Sequence, residues 1–251
     1  LLLCETNGSR SREDAFFSML KQKIVDGILA LDPGISHDNL IEFGAAYPIV
    51  LCYHNESTMD IPSVAVDDEL GAYEVVSHML ATGRRRIALV NAEGTYGFAR
   101  LRRLGYLRAL REHGLAADPG QIIDYCFGRD NGAELAARLL ALPERPDGVI
   151  LDYDMNANGA QRVLIDAGVR VPEDMAVAGY DGSEMTLVCT PTLTTLAQPA
   201  HLIGQRAAEM MFTLMEGGTL ETRRVILAHQ LIVRESTRAL ANGESPIKNQ
   251  G

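Results

Sequence analysis

Short, continuously apolar segments alternate with longer segments of helical periodicity along most of the chain. The apolar segments are runs of Val, Ile, Leu and Ala without in-and-out alternation, which is typical of strands in parallel sheets covered on both faces. We therefore predict an α/β fold with buried parallel sheets. The predicted strands are Leu1–Glu5, Gly27–Leu31, Pro48–Tyr53, Ser63–Val66, Arg86–Asn91, Gln121–Cys126, Gly148–Asp152, Met175–Gly179 and Arg224–Val233.

The predicted helices between these strands carry recognisable end signals. Ser11 and Asp14 approximate a capping box ahead of an apolar stripe, and Gly83 and Gly168 stand where a helix ends in a left-handed residue. The numbers of strands and helices permit two α/β lobes divided near Gly83, and nothing at that point resembles a flexible linker. Residues 241–251 are predicted to form a loose polar tail.

Composition narrows the class of protein. The chain has 33 Asp and Glu against 23 Lys and Arg, and its formal charge of -10 repels phosphate backbones, so we do not expect this chain by itself to grip nucleic acid. Its apolar runs are far shorter than the roughly 18 residues of a membrane helix, so no membrane contact is predicted. Four widely spaced cysteines favour reduced thiols in a cytoplasmic protein, and neither a metal site nor a cofactor is predicted.

Motifs for catalysis and for nucleotide or metal binding are incomplete. Residues 93–97 lack both the third glycine of a dinucleotide site and the Lys-Ser/Thr pair of a P-loop. Residues 152–158 begin like a calcium loop, but Ala157 stands where a glycine is needed. Asp152 and Asp154 permit a glycosidase-like carboxylate pair, although a strand end followed by a helix N-cap explains them better. The chain is therefore not predicted to be an enzyme.

Polar and aromatic side chains follow several of the predicted strands. Asp67, Tyr153 and Asp181 follow predicted strands. Arg102 lies in the helix after the predicted strand Arg86–Asn91, and Phe127 follows the predicted strand Gln121–Cys126. Ligands of open parallel sheets bind outside the carboxyl ends of the strands. An arginine fork, fixed carboxylates and an aromatic ring together suit a neutral polyhydroxylated or heterocyclic ligand, although each residue alone is also typical of a helix cap or a solvated charge.

Two further clusters are open to more than one interpretation. Arg84-Arg85-Arg86 invites a nucleic-acid interpretation, but the cluster follows a helix C-terminus, where cations offset the helix dipole, so a structural role is predicted. Met185, Leu187 and Val188 are consistent with either a core or a subunit contact.

A series of ordered motifs spans nearly the whole chain. The motifs are Val64–Asp68, Gly71-Ala72, His78–Ala88, Arg102–Tyr106, Val171–Asp174, Gly179–Asp181, Pro191–Pro199 and Val233–Thr237. In this order they resemble the corresponding segments of the lactose/galactose repressor (LacI/GalR) family of transcriptional regulators.

That resemblance implies a periplasmic-binding-protein-like module of two doubly wound parallel-sheet lobes, joined by three crossovers, with a ligand cleft between them. The implied lobes are residues 1–83 with 198–218, and residues 84–197 with 219–240. It also implies homodimers in which a separate N-terminal helix-turn-helix binds operator DNA under allosteric control by the effector. We find neither that headpiece nor the family's first strand and helix, so we expect the chain to begin on the second strand of an incomplete N-terminal lobe.

The resemblance also assigns roles to single residues. The matching ligand-binding positions are Arg102 as the gripping arginine, Asp181 as the bonding carboxylate, Phe127 as the stacking aromatic and Gln198 as a residue lining the cleft. Tyr153 and Phe98 depart from sugar-binding members, which have Asn and a small polar residue there. These departures suit a flatter ligand such as a nucleoside.

The leading hypothesis is the effector-sensing domain of a cytoplasmic bacterial transcription regulator that binds a sugar or a nucleoside-like molecule. A periplasmic sugar-binding protein of a transporter has the same fold and is the alternative, and it requires a secretion signal. An enzyme on the same scaffold is a more distant hypothesis, because a fold does not fix a function.

Overall fold

The computed structural model describes residues 1–6, 9–31, 33, 37–55, 60–92, 96–126 and 131–239. The helices are α1 (Arg10–Lys21), α2 (His37–Ala46), α3 (Asp68–Ala81), α4 (Gly97–Glu112), α5 (Gly132–Leu140), α6 (Asp154–Asp166), α7 (Met185–Val188) and α8 (Ala200–Met215). The strands are β1 (Ile28–Leu31), β2 (Ile49–Cys52), β3 (Ser63–Val66), β4 (Ile87–Ala92), β5 (Ile122–Tyr125), β6 (Gly148–Leu151), β7 (Ala176–Asp181), β8 (Thr194–Ala197), β9 (Arg224–Leu227) and β10 (Gln230–Ile232).

The described chain forms two compact units. The first unit lies within residues 1–67, 96–98 and 199–228, and the second lies within residues 68–92, 99–198 and 229–239. These bounds differ from the division predicted near Gly83, because α3 belongs to the second unit and β9 pairs with β3 in the first. The predicted tail, residues 241–251, lies outside the described residues.

The sheet of the first unit is parallel and is covered on both faces. Its described strands run in the order β1-β2-β3-β9. All of β2 is buried, and its alternate residues serve opposite faces. Ile49 and Leu51 pack among apolar side chains of α1 and α2, whereas Val50 and Cys52 pack among those of α8. The continuous apolar run therefore reflects burial on both sides, as the sequence predicted.

The sheet of the second unit runs β10-β8-β7-β6-β4-β5 in the described part of the chain. Its pairs are parallel except that β10 is antiparallel to β8. Met79 of α3 and Leu110 of α4 pack in one core with Leu89 and Ile150 of the sheet. These two sheets, with helices on their faces, confirm the predicted α/β class.

A close helix crossing in the second unit depends on Gly105 of α4. A β-carbon at this position would lie 2.1 Å from the carbonyl oxygen of Glu69 in α3, so a larger residue would force the helices apart. Arg102 lies one turn before Gly105, and Asp68 directly precedes Glu69. The crossing therefore places Arg102 beside Asp68, at 2.8 Å.

Several element predictions were wrong or incomplete. Leu1–Glu5 is not a strand: it pairs with no strand of the described chain, and Leu1 and Leu3 are exposed. The predicted strand Arg224–Val233 is two strands, β9 and β10, which belong to different sheets. The sequence also missed α2, α7 and β8, because four-residue elements show no readable period and α2 has few large apolar side chains.

Candidate ligand-binding site

A polar network lies at the carboxyl ends of the strands in the second unit. Asp152 follows β6, Asp181 ends β7 and Gln198 follows β8. Arg102 of α4 reaches the same edge, because its guanidinium bonds to the main chain of Asp152. This is the edge where open parallel sheets bind ligands.

The guanidinium of Arg102 is fixed by an ion pair, a main-chain hydrogen bond and a ring stack. The side chain is buried, and its Nε donates to Oδ1 of Asp68 at 2.8 Å. A terminal nitrogen donates to the carbonyl oxygen of Asp152 at 2.7 Å, and the guanidinium carbon lies 3.4 Å from the ring centroid of Tyr180. A buried charge is tolerated only when it is paired in this way, and the contacts hold the planar fork in one orientation.

The carboxylate of Asp152 is buried, and both of its oxygens accept hydrogen bonds. Oδ1 accepts from the Tyr125 hydroxyl at 2.8 Å and Oδ2 accepts from the Ala92 N–H at 2.8 Å. Asn156 donates in turn to the Tyr125 oxygen at 3.2 Å. Burial raises the pKa of Asp152 to about 6, although the charge of Arg102 and the Tyr125 hydrogen bond act to lower it. The carboxylate thereby links the ends of β4, β5 and β6.

Asp181 is held at the end of β7 in an uncommon backbone conformation, with φ at +111°. Its carboxylate accepts a hydrogen bond from Nε2 of Gln198 at 2.9 Å, and its carbonyl oxygen accepts from the Gln198 N–H at 3.0 Å. Burial raises the pKa of Asp181 to about 7, although Arg102 acts to lower it. Strained backbone and a shifted carboxyl pKa at one strand end are typical of functional sites.

Asp154 has a different role from the predicted helix cap. It is the first residue of α6, and the N-cap position belongs to Tyr153, whose side chain makes no capping bond. The Asp154 carboxylate accepts from the Ser183 N–H and from the Thr195 hydroxyl, each at 2.7 Å. A β-carbon at Gly179 would lie 2.3 Å from this carboxylate, so the glycine makes room for it. The N-cap interpretation was wrong, and Asp154 instead ties α6 to β8 and to the turn after β7.

Comparison with known proteins identifies the family. The family model for the periplasmic binding protein-like domain matches residues 76–237. The HTH-type transcriptional repressor CytR of Escherichia coli K12 is 30% identical over 241 residues, which are 96% of this chain and 71% of that protein. The chain belongs to the LacI/GalR family of transcriptional regulators.

Solved structures of LacI/GalR relatives share this fold. The transcriptional regulator CelR in complex with cellobiose has 30% identity and a TM-score of 0.82, over 91% of this chain and 71% of that one. A LacI family transcriptional regulator from Mycobacterium smegmatis has 25% identity and a TM-score of 0.80, over 92% and 85% of the two chains. The family and the periplasmic-binding-protein-like fold predicted from the motifs are confirmed.

Four of the ligand positions predicted from the LacI/GalR resemblance lie in the second unit. Arg102, Asp181, Gln198 and the half-buried Tyr153 all belong to the carboxyl-end edge of its sheet. Gln198 bonds directly to Asp181, and the charge of Arg102 acts on Asp181.

The remaining predicted positions lie elsewhere. Asp67 and Phe98 belong to the first unit and are half-buried, and the Phe98 ring lies 5.6 Å from that of Tyr96 between centroids. Phe127 lies outside the described residues. As far as the chain is described, no group of three or more His, Cys, Asp or Glu is arranged to hold a metal ion, and no helix is long and apolar enough to cross a membrane.

Sequence reasoning missed several members of the network around Arg102. It gave no role to Tyr125 or Tyr180, treated Asp68 only as part of a motif and took Asp152 for a simple strand end. A signal was present, because Tyr125, Asp152 and Asp181 each stand where a buried apolar strand ends. Buried polar groups at strand ends need partners, and those partners lie far away in sequence.

Proposed function

We propose that this LacI/GalR chain is the effector-binding part of a transcription regulator, and that its effector is an uncharged sugar or nucleoside bound at the carboxyl ends of the strands in the second unit. The observation that carries the proposal is Arg102, whose guanidinium is fixed in one orientation at the edge that also holds Asp181 and Gln198. Effector binding controls the DNA affinity of a separate N-terminal helix-turn-helix.

The proposed roles follow from the chemistry of each group. Arg102 and Gln198 donate to ligand oxygens, and the Asp181 carboxylate accepts from ligand hydroxyl or amino groups. Tyr153 supplies aromatic surface, which suits the flat face of a sugar ring or a base. For Asp67, Phe98 and Phe127, a ligand contact stays a prediction of the family resemblance. The cellobiose complex of the relative CelR supports a sugar, and Tyr153 supports a nucleoside.

A thermal-shift screen of sugars and nucleosides tests the proposal. At least one compound is expected to raise the melting temperature, and the rise is expected to vanish in Arg102→Ala and to shrink in Gln198→Ala. Arg103→Ala is the matched control, because Arg103 is the next residue of α4 and is partly exposed in a surface ion pair with Asp124. Equal ligand responses in the wild type and both site variants would refute this site.

We also propose that the chain forms a homodimer through an apolar surface of the second unit. Met185, Leu187 and Val188 are 53%, 57% and 75% exposed, beside a cavity of about 380 Å³. Asn158 lines that cavity, and its side-chain nitrogen and oxygen are buried without a hydrogen-bond partner among the described residues. The apolar side chains of Met185, Leu187 and Val188 are accessible to a second copy and suit a self-complementary contact across a two-fold axis.

Light scattering after gel filtration tests the dimer. Val188→Asp is expected to give the mass of a monomer. Val233→Asp, at another exposed valine of the same unit, is expected to leave the dimer intact. A dimer that survives Val188→Asp would show that another surface holds the two copies together.

A cytoplasmic regulator, and not a transport protein or an enzyme, is the role we propose for the whole protein. The relatives named as transcriptional regulators support this role. The sequence that precedes Leu1 in the gene tests it, because a helix-turn-helix supports the regulator and a secretion signal supports transport. Recovery of the bound ligand unchanged after long incubation is expected, and turnover would favour an enzyme.

A further inference from the structure

The candidate ligand site holds more carboxylates than its arginine can balance, and two of the three are buried. Arg102 pairs directly with Asp68 at 2.8 Å, so the Asp68 carboxylate already balances the positive charge of Arg102. Asp152 lies on the other side of the same guanidinium, which bonds to its carbonyl oxygen. Asp181 is the third carboxylate on which the charge of Arg102 acts. With all three ionised, one positive charge faces three negative charges.

Among the described residues, the groups that donate hydrogen bonds to the side chains of Asp152 and Asp181 are neutral. Asp152 is bonded by the Tyr125 hydroxyl and the Ala92 N–H, which are neutral donors. Asp181 is bonded by the neutral amide of Gln198, and Asp154 adds a further carboxylate that acts on it. Among the described residues of this neighbourhood, the carboxylates therefore outnumber the guanidinium of Arg102.

This charge has a strong effect on the choice of ligand. Interactions between charges are several times stronger in a partly buried site than in water, and salt screens them less. A phosphate ester would carry its own negative charge into the site and leave the desolvated carboxylates without a counter-charge. Hydroxyl and amino groups, in contrast, would donate to those carboxylate oxygens.

We propose that Asp152, held in place by Tyr125, is a charge-selectivity residue of the effector site, and that the site admits uncharged or cationic ligands rich in hydrogen-bond donors and rejects phosphate esters. The proposal rests on the proposed function, because it concerns the same site. Tyr125 acts as a positioning residue, since its hydroxyl fixes one carboxylate oxygen while the Ala92 N–H fixes the other.

Titration with inorganic phosphate tests this charge selectivity without knowledge of the effector. The ¹⁵N NMR signal of the Arg102 Nε–H is followed in the wild type, in Asp152→Asn and in the control Asp124→Asn, which alters a half-exposed carboxylate of neighbouring β5. We expect no saturable shift in the wild type or the control, and phosphate affinity in Asp152→Asn at least about tenfold higher. Saturable binding of phosphate at Arg102 in the wild type would overturn the proposal.

Paired ligands separate this proposal from the proposed function. Cytidine and adenosine are compared with their 5′-monophosphates, and ribose with ribose 5-phosphate, by calorimetric titration of the wild type. The uncharged member of a pair is expected to bind at least about tenfold more tightly. A phosphate ester that binds as tightly as its parent would overturn charge selectivity and leave the effector site standing. If no compound of this or the wider panel binds, the proposed function fails, and the phosphate titration still decides the charge selectivity.

Two further variants test the charge selectivity if Asp152→Asn does not fold. Asp181→Asn removes a different charge from the same cluster and is expected to raise phosphate affinity in the same direction. Tyr125→Phe keeps the Asp152 carboxylate, and it is expected to keep the rejection of phosphate above neutral pH. Phosphate affinity unchanged in Asp181→Asn would contradict a role for the cluster's charge.

Discussion

Two buried arginines lie at opposite edges of one sheet, and their partners differ in kind. Arg84, at the amino ends of β4 and β6, is fully buried and donates to the main-chain carbonyl oxygens of Asp147, Thr82 and Pro172, at 3.2, 3.3 and 2.6 Å. Arg102, at the carboxyl ends, binds a carboxylate, one carbonyl oxygen and an aromatic ring.

The two ends of the sheet therefore differ in whether the arginine's partners can titrate. The carbonyl groups around Arg84 do not titrate, and the Asp147 carboxylate beside it accepts from the main-chain N–H groups of Arg85 and Arg86. At that edge, contacts to the main chain stabilise the fold. Around Arg102, by contrast, Asp152 and Asp181 have pKa values raised to about 6 and about 7. Such groups are costly to bury and are typical of sites that bind or react.

The largest expected effect is on stability, at the Arg84 edge. Arg84→Ala leaves three main-chain carbonyl groups without their donor, and we expect the free energy of unfolding to fall by about 3 to 5 kcal/mol in urea denaturation. Arg86→Ala, at a half-exposed residue of the same cluster, is expected to cost less than about 1 kcal/mol. The ligand affinity of folded Arg84→Ala is expected to match that of the wild type. A loss of ligand affinity in the folded variant would contradict the distinction between the two edges.

Gly105→Ala probes the helix crossing that places Arg102 beside Asp68. The new β-carbon meets the Glu69 carbonyl oxygen, so we expect a loss of about 2 to 3 kcal/mol in stability and weaker ligand binding. Gly204→Ala is the matched control, because Gly204 lies in α8 with no atom within 4 Å of the added carbon. That variant is expected to be neutral or to gain up to about 1 kcal/mol. Equal stability of the two variants by urea denaturation would contradict the close crossing.

A smaller effect separates two buried tyrosines. Tyr125→Phe and Tyr106→Phe each remove one hydroxyl, the first from the Asp152 carboxylate and the second from the carbonyl oxygen of Ile87. Each is expected to cost about 1 kcal/mol. Only Tyr125→Phe is expected to raise the pKa of Asp152 further, because its hydroxyl stabilises the ionised carboxylate. Carboxyl ¹³C NMR measures that pKa, and an equal change in both variants would remove the distinction between the two edges.

A pH-dependent effect on stability is expected at Asp181. Asp181 has a pKa raised to about 7 in the folded protein against an ordinary value of 3.8, so the folded state holds its proton more tightly than the unfolded state. Its contribution to stability is therefore greatest below about pH 4 and is lost as pH rises towards 7. Asp181→Asn is expected to gain stability relative to the wild type across that range. A constant difference between the two unfolding free energies from pH 4 to pH 8 would contradict the raised pKa.

Much of the fold could be predicted from the sequence, because continuous apolar runs such as β2 and β6 report burial on both faces. The change of sheet between β9 and β10 could not, since one apolar run covers both strands and only their distant partners separate them. The missing strand at Leu1–Glu5 has the same cause. An apolar composition permits a strand, but a strand also needs a neighbour to pair with.

The candidate site was predictable only in part. Arg102 and Asp181 were assigned to the candidate site through motifs, whereas the pairing of Tyr125 with Asp152 joins residues 27 positions apart that no local pattern connects. The three arginines of residues 84–86 look alike in sequence, yet Arg84 alone among them is fully buried. Its partner Pro172 lies 88 positions away in the sequence, so no local pattern distinguishes Arg84 from its neighbours. Local patterns reveal which residues are buried in strands, but they do not reveal which distant groups meet.

The most direct test of the central claim is an amide chemical-shift map of the protein with the tightest uncharged ligand of the sugar and nucleoside panel. The claim is that the carboxyl-end edge binds the effector while the amino-end edge only stabilises the fold. We predict large shifts at the amides of Ala92, Gly182 and Gln198, and none at those of Arg85 and Arg86. Shifts centred on Arg85 and Arg86, with the carboxyl-end amides unmoved, would contradict it.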